Sequence, residues 1–114
     1  AFPTYLYLSE ENAEKKEIAI KEAQIAEIKS DIRAFFEDFI NDLNSHTDAE
    51  GYIEYSEYVK LMTEFTEEYT QYMNDKVYSL TDDELKQIAI LEMTLIYNEY
   101  VEYVSMIGEK VRFE

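Results

Sequence analysis

From Leu80 to Gly108, apolar residues return at helical spacing. Ala89, Met93, Ile96, Tyr100, Tyr103 and Ile107 follow one another at alternating intervals of four and three, which aligns them on one helical face. Ile90, Tyr97, Val101 and Val104 make an adjacent row, while Ile88, Leu91 and Leu95 stand opposite among Glu92, Glu99 and Glu102. A helix apolar around so much of its circumference normally packs against at least two neighbours. Thr81-Asp82-Asp83-Glu84 fits a capping box, Leu80 and Leu85 flank it as a hydrophobic staple, and Gly108 stands at a natural C-cap. The pattern predicts a helix from about Asp82 to Ile107.

A second apolar seam, Ile25, Ile28, Ile32, Phe35 and Phe39, keeps the same spacing and is widened by Phe36, Ile40 and Leu43. Before Ile25 it thins to Ala13, Ile18, Ile20 and Ala23, where Glu11 to Lys15 and Glu17 to Lys21 pairs support the helix instead. With Ser9 as N-cap, the first helix runs from Glu10 to Leu43. It would be about 51 Å long against about 39 Å for the last, so the excess must overhang, bend or meet another chain. A restart at Ser30-Asp31 would bend it and give four helices. The absence of glycine and proline favours one unbroken helix.

Between them, Tyr55, Tyr58, Met62, Phe65, Tyr69 and Tyr72 form a stripe rich in phenol rings, which suit a core boundary where the hydroxyl reaches water or a carboxylate. Thr47-Asp48-Ala49-Glu50 is another capping-box pattern, so this helix is expected from Asp48 to Asn74. Short connections make sequential helices antiparallel neighbours. The expectation is an all-α, up-down-up bundle of three long helices forming one domain over residues 1–114. Its core would centre on Ile28, Ile32, Phe35, Phe39, Tyr58, Met62, Phe65, Tyr69, Met93, Ile96, Tyr100 and Tyr103. Residues 1–8 and 109–114 read as extended tails, which pair with each other or lie across the bundle.

Charge changes what such a bundle can meet. The net charge is -16, and residues 31–109 alone hold nineteen acids and four bases. Direct binding to nucleic acid or an anionic membrane surface is disfavoured, whereas cations and basic partners are favoured. No apolar run approaches a membrane span, because Glu92 interrupts the best one. With no cysteine there is no disulfide, thiolate catalysis or iron-sulfur chemistry. A start at Ala1 without methionine reads as a trimmed chain or a processed mature protein, and the tyrosine-rich, cysteine-free composition suits an exported bacterial domain whose signal would precede that residue.

The strongest chemical pattern runs from His46 to Glu57, His-Thr-Asp-Ala-Glu-Gly-Tyr-Ile-Glu-Tyr-Ser-Glu. It resembles an EF-hand calcium loop, with Gly51 at the sharp turn and Ile53 at the apolar eighth position. The resemblance implies Asp48, Glu50, Glu54 and Glu57 as side-chain ligands and Tyr52 as a carbonyl ligand. His46 stands where that family has an aspartate, Asn44 and Ser45 replace its usual apolar lead-in, and no second loop is present. A plain interhelical loop is the competing reading.

The single histidine, His46, has no serine or cysteine partner in pattern, and one histidine cannot build a di-iron bundle site. No phosphate-binding glycine loop or basic patch occurs. The chain therefore reads as a non-enzyme: an acidic helical interaction or structural module acting on a protein partner or on itself. A calcium-responsive module is the alternative. A DNA mimic that occupies a basic DNA-binding protein is the third reading, resting on acidity alone.

Overall fold

The computed structural model describes residues 4–113, with side-chain positions from Glu10 onward. Three helices make up most of it: α1 over Thr4–Ser45, α2 over Tyr55–Lys76 and α3 over Asp83–Gly108. Two short strands, β1 (Ile53–Glu54) and β2 (Val111–Arg112), pair in parallel, with Ile53 opposite Val111.

α1 passes through Ser30 as one helix, so the fold has three helices rather than four. Asp31 does not cap a new helix, and its carboxylate instead accepts a hydrogen bond from the Tyr72 hydroxyl at 2.7 Å. The helix also begins earlier than expected. Of the segment Phe2–Leu8 read as extended, Phe2 and Pro3 lie outside the described residues, and Thr4 to Leu8 are helical. Pro3 is the last breaker before Ser45, and adding residues to an existing helix carries no new nucleation cost.

α2 starts at Tyr55, not Asp48. The Asp48 carboxylate accepts from the backbone N–H groups of Glu50 at 2.9 Å and Tyr52 at 3.0 Å, which closes a turn in place of a capping box. Gly51 has φ +86°, outside any right-handed helix, and the Ile53 N–H donates to the Lys110 carbonyl at 3.0 Å. The backbone groups a longer helix would need are thus already used.

At α3 the N-cap is Asp82 rather than Thr81. Its carboxylate accepts from Leu85 N–H at 3.0 Å and also meets Lys21 Nζ at 3.0 Å. Gly108 is the last helical residue and has no positive φ, because Glu109 continues in right-handed geometry toward β2.

Three ion pairs fix the relation of α1 to α3. Lys21 meets Asp82, Lys29 meets Glu92 and Arg33 meets Glu99, with numbers rising together, so the two helices run parallel. Contacts from α1 to α2 run the other way, from Asp31–Tyr72 to Phe39–Phe65, which makes α2 antiparallel. In an up-down-up chain Thr4–Leu8 and the C-terminal tail lie at opposite ends of the bundle and do not pair, while residues 1–3 lie outside the described residues. The C-terminal tail meets the α1–α2 loop instead.

Two apolar clusters fill the bundle. One joins Ile28, Ile32 and Phe36 to Met73, Val77, Ala89, Met93 and Ile96; the other joins Phe39 and Leu43 to Ile53 and Leu61. Phe65 packs on both. Phe36 stacks on Tyr100 with ring centroids 5.2 Å apart. Of the expected core, Phe35, Tyr58, Met62, Phe65, Tyr69 and Tyr100 are only partly buried, at the boundary where their hydroxyls or edges reach water. Tyr103 is not core: it is 60% exposed beside a surface groove with Glu37 and Ile40.

α1 outruns its neighbours. The Lys21–Asp82 pair marks where α3 begins alongside it, and residues 4–20 project about 25 Å further at 1.5 Å per residue. The radius of gyration is 20.6 Å, well above the roughly 13 Å of a compact chain of this length.

Candidate functional site

Two regions hold side chains that the core does not use. The first is the junction of the α1–α2 loop with the C-terminal tail. Gly51 turns the loop back, and β2 lies against β1. This pairing places Arg112 beside the loop carboxylates, with one terminal guanidinium nitrogen 3.2 Å from Asp48 Oδ2 and 3.5 Å from Glu50 Oε2. Lys110 Nζ donates to the Glu50 carbonyl at 3.5 Å, and both bases lie over the Tyr52 ring. Backbone hydrogen bonds from Tyr52 and Glu50, with Arg112 adding to them, hold the Asp48 carboxyl below the usual carboxylate range.

The five residues implied as calcium ligands are therefore divided. Asp48 and Glu50 face Arg112, Glu57 faces the His46 ring at 3.7 Å, and Glu54 lies in β1 with its side chain exposed. The Tyr52 carbonyl, offered as a ligand, accepts from Asp48 N–H at 2.8 Å. His46 Nδ1 lies 2.8 Å from the Asp42 carbonyl, close to the end of α1. Among the described residues no group of three or more histidine or carboxylate side chains is placed to hold a metal ion. This donor set, with a guanidinium already against two of its carboxylates, does not fit calcium in the arrangement seen. Ile53, by contrast, does what its apolar position suggests, and only 1% of it is exposed.

The second region is the outer side of α3. Ile88, Leu91 and Leu95 are one helical turn apart and are 40%, 59% and 49% exposed. At one end the stripe runs into a groove of about 440 Å³ between α1 and α3, lined by Ile18, Ile25, Leu85 and Ile88 with Lys21, Glu22 and Glu84 as its charged residues. Ile18, on the projecting part of α1, is 56% exposed.

Acids border this apolar strip. Glu92 and Glu99 lie along its α1 side and are engaged by Lys29 and Arg33. The hydrogen bond with Glu99 raises the Arg33 pKa, and that with Arg33 holds the Glu99 carboxyl low. Glu22, Glu84 and Glu102 are exposed and take part in none of the ion pairs found among the described residues.

Residue spacing already set Ile88, Leu91 and Leu95 apart from the main apolar face. That they would remain uncovered depends on where α1 and α2 lie, which spacing alone does not give. No family model, curated protein or solved structure matches this chain.

Proposed function

We propose that this chain is a non-catalytic helical interaction module whose contact surface is the open face of α3, continued by the projecting part of α1. The stripe Ile88–Leu91–Leu95 carries the reading. A helix apolar around so much of its circumference normally packs against neighbours over most of it, and α3 keeps three aliphatic side chains in water although α1 and α2 are both in place. Full burial of such a side chain contributes about 1.5–3 kcal/mol; with 40–59% of each still exposed, a partner that covers them gains about half of that per residue. The groove at Ile18 and Ile25 extends the same surface onto α1.

The test is the double substitution Leu91→Gln with Leu95→Gln. On a contact surface these changes leave thermal stability within about 0.5 kcal/mol of the parent and reduce binding of a hydrophobic dye. A large loss of stability would put both side chains in the folded core and reject the reading.

A further inference from the structure

Resting on that reading, we infer that the α3 face takes a basic amphipathic helix rather than a second copy of this chain. The apolar strip is short and straight, which suits the apolar face of one helix laid along it. Its aliphatic part spans about 10 Å from Ile88 to Leu95, and the carboxylates that flank it, Glu84 and Glu102, stand about 27 Å apart along the helix, a distance covered by about eighteen helical residues. Glu84 lies one turn before Ile88 and Glu102 two turns after Leu95, so the strip has carboxylates at both ends. Glu22 adds a third at the groove, across from Glu84.

The bases near the strip are already matched. Lys21, Lys29 and Arg33 face Asp82, Glu92 and Glu99, which leaves Glu22, Glu84 and Glu102 to set the sign of the rim. A second copy docked face to face would bring the same carboxylates against these, and like charges across an interface oppose association. A helix with leucine-type residues on one face and lysine or arginine flanking them satisfies both the strip and its rim. The net charge of -16 then steers such a partner from a distance.

The experiment uses the full chain and three synthetic peptides of about eighteen residues. One has leucines on a single helical face and lysines elsewhere, one keeps the leucines but replaces lysine by glutamate, and one scrambles the first. Fluorescence anisotropy at low and high salt gives the affinities, and sedimentation of the protein alone gives its self-association. The lysine amphipathic peptide should bind at least about tenfold more tightly than either control, a difference of one decade in Kd. Leu91→Gln with Leu95→Gln should remove that preference, and Glu84→Gln with Glu102→Gln should weaken binding and flatten its salt dependence. Circular dichroism of both variants checks that the helices are intact.

Equal binding of the scrambled peptide would reduce the effect to net charge and overturn the inference. Self-association abolished by Leu91→Gln with Leu95→Gln would also overturn it, because a second copy would then be the occupant, while the contact-surface reading would stand. The absence of both peptide binding and self-association would overturn both readings.

Discussion

The Arg112 guanidinium carbon lies 4.8 Å from the centre of the Tyr52 ring while the same group reaches Asp48 at 3.2 Å. One residue of the C-terminal strand thus grips both the aromatic and the acidic side of a loop sixty positions away. This contact, with the backbone bond from Ile53 to Lys110, ties the end of α3 to the start of α2.

Replacing Arg112 by alanine should loosen that tie without unfolding the bundle. An exposed cation–π contact contributes about 0.5–1 kcal/mol and an exposed ion pair less. Hydrogen exchange should therefore accelerate at the Ile53 amide, while amides of the buried α1 seam around Ile32 keep their protection. Equal acceleration at both places would mean that the tail supports the whole fold.

Gly51→Ala should be more damaging than its exposed loop suggests. A Cβ there would meet Lys110 Nζ at 3.4 Å, a contact a flexible side chain can relieve, but φ of +86° cannot be relieved without moving the turn. Left-handed geometry costs a non-glycine residue about 1–2 kcal/mol. Chemical denaturation should show a loss of that order, and a loss under about 0.5 kcal/mol would show that the turn changes shape freely.

Much of this architecture was legible in spacing alone, because a three-four rhythm of Ile28, Ile32, Phe39, Met93 and Ile96 can only be buried on one side of a helix. The unbroken α1 followed from the lack of a breaker, while the difference in helix lengths left overhang, a bend or a second chain open, and overhang is what α1 shows. Local chemistry misled at several ends: Asp82 rather than Thr81 caps α3, Gly108 stays helical, and α1 starts before Ser9. Thr47 and Asp48 carry a capping pattern, yet the Asp48 side chain serves a turn whose purpose is to present Ile53 to β2. That competition is set by a strand sixty residues on, which no local pattern contains. Val77 and Leu61 are buried although neither belongs to an apolar stripe, one lying in the α2–α3 connection and the other beside the tyrosine row. The acidic loop carried a ligand-like spacing, but spacing could not reveal that Arg112 would lie against it.

The two aromatic residues Phe36 and Tyr103 should separate core from surface. Phe36 is buried and contacts the rings of Phe65, Tyr69, Tyr97 and Tyr100. Phe36→Ala should cost about 3–5 kcal/mol, whereas Tyr103→Ala should stay near 0.5 kcal/mol. Similar losses in urea unfolding would contradict the packing described here.

Acid should find the α3 N-cap and the loop turn at Asp48. Asp82 is held low first by the Leu85 N–H and then by Lys21, and Asp48 is held low first by the Tyr52 N–H. A carboxyl whose folded pKa is depressed adds stability above its unfolded pKa and loses it as pH falls through the folded value. The contribution is thus fully present at neutral pH and is lost progressively as the pH falls below about 4. Asp82→Asn keeps an oxygen for the Leu85 N–H but removes the charge, so its stability profile should be flatter than the parent's across that acid range. Parallel profiles would show that Asp82 does not contribute through its ionisation.

Calcium provides the remaining test of the loop. To bind there it must pull Asp48 and Glu50 away from Arg112 and bring in Glu57, which lies against His46. Any divalent ion screens a chain of net charge -16, so only the difference between calcium and magnesium at matched ionic strength is informative. The expected outcome is coincident thermal unfolding curves in the two ions. A calcium-selective gain of about 2.7 kcal/mol, which a ligand provides at about one hundred times its Kd, would mean that the loop rearranges to form a site. In that case Glu57→Ala should abolish the difference and Glu99→Ala should not. Arg112→Ala should enlarge it, because the ion would no longer compete with a guanidinium for the Asp48 and Glu50 carboxylates.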